Sequence, residues 1–260
     1  MLHARKPVAL SRGMVPALFV SMNIDPYLVK NALLLTPAEW MLNPETSKAI
    51  DETKPKLKHF TDTNFRNIAK PEDFAVLSRI TEHLPEIFSI PLFSENYCKL
   101  MVDEIQNIKE KNMFKVNESE EKDVQIEEFV FSANSPGWYD VMFQLIYAKV
   151  NTIFEAIFHR KVNTGIIQLA NYNPREVTQT SWHHDGGADI TMVVPLNTNE
   201  YKGGGTEFWR KGVVDPLPNG SALIFPTFSN MHRGLPLESG DRYLFVFWLK
   251  YQPVIEENNE

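Results

Sequence analysis

Gln179–Asn197 reads QTSWHHDGGADITMVVPLN, and its reading decides the fold. The second half, DITMVVPLN, is a β-branched, apolar run of strand length. Directly before it stand His183, His184 and Asp185, polar groups whose burial is costly unless a partner satisfies them. On an extended segment His183 and Asp185 project to one face and His184 to the other. A metal ion is one partner that would explain the pair.

Similar runs surround this one. TGIIQLANYN (164–173), GTEFWR (205–210), SALIFPTF (221–228) and RYLFVFWLKYQP (242–253) are short β-branched or aromatic segments separated by Gly, Pro and Asn. Upstream, Ser94 can cap a helix in which Tyr97, Leu100, Met101, Ile105 and Ile108 recur at helical spacing. A second helix is predicted from Ser135 and Pro136 to Arg160, with Met142, Leu145, Ile146, Val150, Ile153, Phe154 and Ile157 on one apolar face. Two helices followed by many strands predict a mainly β protein with flanking helices packed outside an antiparallel jelly roll. Short helical patterns are also expected at 25–35 and 71–84, KVNESEEKDVQIEE (115–128) reads as a solvated loop, and Gly203, Gly204 and Gly205 as a tight turn or bulge rather than a phosphate cradle.

The bulk numbers narrow the function. The 260 residues are 43% hydrophobic, enough for a full core, and the net charge of -7 argues against a sequence-independent nucleic-acid binder. An acidic surface tolerates a basic substrate. A single cysteine, Cys98, allows no internal disulfide and favours a reducing, cytoplasmic setting. The basic and apolar start, residues 1–22, has features of a signal peptide, but Pro16 interrupts the run and no cleavage pattern follows it. No membrane-spanning segment is expected. The predicted organisation is an accessory region, 1–90, acting as lid or buttress, then a catalytic domain over 91–253, then an acidic tail, 254–260.

A third ligand for the His183–Asp185 pair is available in SNMHRGLP, where His232 lies in the strand-rich half and a rolled sheet can return it to the pair. Two imidazoles and one carboxylate with open positions opposite are the ligand set of non-haem Fe(II) oxygenases. The alternative is a decorated surface. Arg242 opens the last apolar strand, and a guanidinium there needs an acidic partner because it stays charged when buried. The distal carboxylate of a dicarboxylate would pair with it in a bidentate manner.

These elements resemble the 2-oxoglutarate- and Fe(II)-dependent prolyl and lysyl hydroxylases, above all the catalytic domain of procollagen lysyl hydroxylases. The resemblance is carried by HHD (183–185), YKGGGTEFW (201–209), HRGLPLESGDRY (232–243), QLANYNP (168–174) and, less closely, IPLFSENYCKLMVDEI (90–105). It implies a double-stranded β-helix core in which His183, Asp185 and His232 bind Fe(II) and Arg242 binds 2-oxoglutarate, with Tyr172 and Thr191 as further partners of the cosubstrate. It also implies consumption of O2, ascorbate as reductant, and hydroxylation of an aliphatic carbon of a peptidyl residue, lysine favoured. Peptidyl proline or a free amino acid is the alternative substrate, and a non-catalytic jelly-roll binding protein the alternative of another class. Three residues are candidates for substrate contact. Asp189 could meet an ammonium or be a solvated loop residue, Trp182 could wall the mouth or be half-buried packing, and Trp248 could line the pocket or be core.

Overall fold

The computed structural model describes residues 40–62 and 74–253. The signal-like start, the 25–35 pattern and the acidic tail lie outside the described residues.

Helix α1 (Pro44–Asp62) is opened by Asn43, whose Oδ1 accepts from the amides of Glu45 and Thr46, both at 3.1 Å. A 3₁₀ turn (Ala75–Arg79) follows, tied to α1 where the Val76 amide donates to Thr53 Oγ1 at 3.0 Å. Next come β1 (Thr81–Leu84) and β2 (Ile87–Pro91), a hairpin where a helix is expected at 71–84. Tertiary pairing overrides the local pattern here: β2 has β10 as its other neighbour, and that partner is far along the chain.

Helix α2 (Glu95–Glu110) is capped as its sequence predicts, with Ser94 Oγ accepting from the Tyr97 amide at 3.1 Å. Short β3 (Lys115–Val116) pairs with β4 (Glu127–Val130), and α3 (Phe131–Asn134) leads to α4 (Pro136–Leu145). A π-helical turn, Ile146–Val150, joins α4 to α5 (Asn151–Phe158). By length and composition alone the run Pro136–Phe158 could cross a membrane, against expectation. In this fold Trp138, Met142, Leu145, Ile146, Ile153 and Phe154 spend its apolar face on the core.

The remaining strands are β5 (Val162–Tyr172), β6 (Ile190–Pro195), β7 (Lys202–Gly203), β8 (Thr206–Phe208), β9 (Gly212–Val214), β10 (Ser221–Pro226), β11 (His232–Gly234), β12 (Leu237–Ser239) and β13 (Arg242–Tyr251). Eight strands form one antiparallel sheet in the order β1-β2-β10-β6-β13-β5-β4-β3, and β11-β8-β9 and β12-β7 form two small sheets. This is the jelly-roll architecture with flanking helices. The sheet starts upstream of the boundary expected at residue 90, since β1 and most of β2 precede it and Met41, Leu42, Ile50 and Val76 join the main core.

Strand alternation divides the large sheet into two faces. Along β13, Tyr243, Phe245, Phe247 and Leu249 point into the core shared with the helices, where Phe131 and Tyr97 stack on Phe245 at 5.5 and 6.3 Å. Each such side chain contributes about 1.5–3 kcal/mol by leaving water. The alternate residues Arg242, Leu244, Val246 and Trp248 face a cavity on the other side. One face anchors the sheet and frees the other for chemistry.

Candidate active site

The inner face of the large sheet and the small β11-β8 pair enclose a cavity of about 440 Å³. His183 and His232 meet there through reciprocal backbone hydrogen bonds, each amide donating to the other's carbonyl at 2.9 Å. The pairing brings together residues that the sequence keeps far apart. Their imidazoles lie 4.5 Å apart between centroids, and the Nε2 of each is 3.6 Å from an oxygen of Asp185. One ligand atom from each of the three lies within 4.8 Å of the others.

The donor set fits a cation. His183 Nδ1 is 2.8 Å from the Ser181 carbonyl and His232 Nδ1 is 3.0 Å from that of Asn230. A carbonyl only accepts, so each Nδ1 carries the proton and each Nε2 turns a lone pair towards Asp185. Burial pushes the His232 imidazole below its usual range while Asp185 pulls it upward. Asp185 is held in turn by Thr191, whose Oγ1–H donates to its Oδ2 at 2.5 Å. Thr191 therefore orients the carboxylate, which differs from its expected place against the cosubstrate. The hydroxyl also lies 3.2 Å from Thr227 Oγ1. Thr191→Val should weaken divalent-metal affinity about tenfold to a hundredfold while leaving the fold intact, as loss of a partner behind a ligand does. Titration with Co(II) followed by its visible absorption checks this, and unchanged affinity would return Thr191 to a packing role.

Arg242 is 5% exposed, yet its Nε has no hydrogen-bond partner and no carboxylate of the described residues pairs with it. The guanidinium lies 5.3 Å from the Tyr172 ring and 6.0 Å from that of Tyr201. Tyr172 stands opposite it in the β13–β5 register and is kept protonated by burial, against the pull of Arg242. The glycine run gives it room. Gly203, Gly204 and Gly205 all take positive φ, forming the expected tight turn, and a Cβ on Gly204 would lie 3.5 Å from Arg242 Cδ. A buried cation among rings, open to a cavity, is poised for an anion.

The other predicted residues divide. Trp248 lines the cavity, as its place on the Arg242 side of β13 suggests. Trp182 packs edge-on against Trp209 at 5.1 Å and beneath Arg233 at 4.7 Å, outside the cavity wall. Asp189 is committed elsewhere: its Oδ2 accepts from the Tyr251 amide at 2.8 Å, and its backbone bonds Leu249 and Thr227. It pins the end of β13 and does not line the cavity. His184, expected on the opposite face, also lines the cavity, with Nδ1 3.2 Å from the Thr227 carbonyl.

Two features were missed. The stretch expected to be a solvated loop supplies Ser119, Glu120, Glu121, Val124 and Ile126 to the cavity wall. Gln168, 1% exposed on β5, lines the cavity with its Oε1 unpartnered. Gln168 had a readable signal, a polar residue at even spacing from Tyr172 inside an apolar strand. The loop had none, because its position depends on how β3 and β4 join the sheet.

No family model matches the chain. Among curated proteins it is 27% identical over 176 residues to the human multifunctional procollagen lysine hydroxylase and glycosyltransferase, covering 64% of this chain and 24% of that protein. It is 24% identical over 180 residues to the procollagen lysyl hydroxylase and glycosyltransferase of Acanthamoeba polyphaga mimivirus, covering 64% of this chain and 19% of that one. The chain is thus similar in sequence to procollagen lysyl hydroxylases. It spans about a quarter of the human hydroxylase's length. A solved viral collagen prolyl hydroxylase from Paramecium bursaria Chlorella virus-1 superposes with a TM-score of 0.44 at 17% identity, covering 63% of this chain and 95% of that one.

Proposed function

We propose that the chain is a 2-oxoglutarate- and Fe(II)-dependent dioxygenase that hydroxylates an aliphatic carbon of a peptidyl residue, with lysine the favoured side chain. The observation that carries this reading is one cavity holding both the His183–Asp185–His232 cluster and the unpaired Arg242. The lysyl hydroxylase names of the curated relatives supply the residue type.

His183, Asp185 and His232 would hold Fe(II), which when bound activates O2 for oxidative decarboxylation of the cosubstrate. The chain's own work is placement. Arg242 holds the far carboxylate of 2-oxoglutarate by bidentate hydrogen bonds, with the Tyr172 ring 5.3 Å from the guanidinium. Thr191 keeps the Asp185 carboxylate turned to the two imidazoles. Val193, Leu244, Val246 and Phe225 keep the cavity apolar between these polar ends, which excludes water. The balance is one O2, one 2-oxoglutarate and one C–H giving C–OH, succinate and CO2, with no further reductant consumed; ascorbate would serve only to keep the metal as Fe(II).

The test is mass spectrometry of lysine- and proline-containing peptides incubated aerobically with the protein, Fe(II), ascorbate and 2-oxoglutarate. Addition of one oxygen on lysine, absent without 2-oxoglutarate, is the expected result. Addition on proline or on a free amino acid would move the substrate within the same chemistry. Succinate release that is absent under every condition would overturn the reading in favour of a binding protein.

A further inference from the structure

Arg242 and Gln168 sit on the same face of the large sheet, and their surroundings have opposite character. Arg242 is opposite Tyr172 in the register, whereas Gln168 is opposite Val246, four residues further along β13. At the strand rise this separates the two levels by roughly 13 Å. One end offers donors, and the other offers acceptors.

The acceptor end is built from three elements. On β4, Glu128 pairs with Ala170 and Val130 with Gln168, so Glu128 shares the face of Gln168 as a diagonal neighbour. The Gln168 amide lies near the Glu128 carboxylate and favours its charged form. A carboxylate only accepts, so the amide NH2 is turned to Glu128 and Oε1 is the atom left over. That Oε1 is fully buried, unpartnered and on the cavity wall. From the loop, Glu120 lines the same wall and repels Glu128. Burial and this repulsion raise the Glu128 carboxyl to about 7. Lys115, opposite Glu128 on β3, is exposed and forms no ion pair with it. Glu120 and Gln168 on the cavity wall, with Glu128 beside Gln168 on the same sheet face and no cation among the described residues paired with either carboxylate, leave a site for one brought from outside.

We propose that Glu120, Glu128 and Gln168 form a subsite for an organic cation, the ammonium or guanidinium head of a substrate side chain. Gln168 Oε1 accepts a hydrogen bond from that head and the two carboxylates neutralise its charge. The subsite rests on the hydroxylase reading for its purpose and makes the choice of a basic side chain a property of this wall. The separation of charges also sorts the two small molecules, the dianionic cosubstrate to Arg242 and the cation away from it.

The experiment measures binding by calorimetry with Mn(II) replacing Fe(II), 2-oxoglutarate present and O2 excluded, so that no turnover occurs. The probes are one peptide with lysine, arginine or norleucine at a single position, and free lysine amide. The lysyl or arginyl peptide is expected to bind about tenfold or more tighter than the norleucyl one, the scale of a charge-assisted hydrogen bond. Glu120→Gln with Glu128→Gln should erase that preference while the norleucyl peptide keeps its wild-type affinity. If the double variant does not fold, Glu128→Gln alone carries the same comparison with a smaller loss. Equal binding of the three peptides to wild type, or a preference that survives in the variants, overturns the subsite. Free lysine amide binding as tightly as the peptide would assign the cation to a free amino acid. A basic preference without succinate release in the aerobic assay would sink the hydroxylase reading and leave the subsite standing. Succinate release without the preference would do the reverse.

Discussion

Asp185→Ala should abolish metal-dependent succinate production and weaken divalent-metal binding by about a hundredfold or more. Removing a partner behind a ligand costs about 10- to 100-fold, and Asp185 stands a step closer, between the two Nε2 atoms at 3.6 Å from each. It is also the acceptor of the Thr191 hydroxyl. The variant leaves two imidazoles aimed at a point with no negative charge, a poor site for a hard divalent ion. Thermal unfolding gives a readout independent of activity. A ligand that binds only the native state stabilises it by RT ln(1 + [L]/Kd), so Co(II) should raise the wild-type Tm and leave the variant's unchanged at the same concentration. A metal-induced shift that persists in Asp185→Ala would place the metal elsewhere and sink the site.

What the sequence disclosed here follows from local periodicity. His183 and Asp185 are two apart on an extended segment, so their common face is a consequence of the pleat, and Arg242 and Trp248 share a face by the same rule. Ser94 announces its helix because a side-chain oxygen three residues before Tyr97 is a local device. Residues whose role depends on distant backbone were read less well. Asp189 looks free in the sequence, but its carboxylate is taken by the Tyr251 amide at the far end of β13. Thr191 lines the cavity, yet its hydroxyl is bonded to Asp185, and it stands opposite Trp248, six residues along β13 from Arg242. The 71–84 stretch carries a helical pattern that strand pairing with Ile87–Pro91 overrides. The acidic 115–128 stretch is largely exposed, as expected, yet part of it also lines a cavity. Composition cannot distinguish a carboxylate facing water from one facing a ligand.

Arg242→Met should raise the Kd for 2-oxoglutarate by about a hundredfold or more without lowering the stability of the cosubstrate-free protein. The two halves have one cause. A buried guanidinium with no carboxylate partner carries a desolvation cost that an apolar side chain of similar volume avoids, so the fold gains or loses little on replacement. When the cosubstrate arrives, the same guanidinium forms a bidentate pair in a site largely shielded from water. Truncating one partner of such a pair costs about 2–5 kcal/mol, and the midpoint is several hundredfold in affinity. Arg242→Lys should fall between, because the ammonium keeps the charge but lacks the planar fork and the contact with the Tyr172 and Tyr201 rings. Calorimetric titration of 2-oxoglutarate onto the Mn(II)-loaded proteins, alongside their Tm values without it, separates the two roles. A large fall in Tm with unchanged 2-oxoglutarate affinity would make Arg242 a structural cation held by its tyrosines. Weakened cosubstrate binding at constant or raised Tm means that the cost of burying the charge is met when the cosubstrate binds.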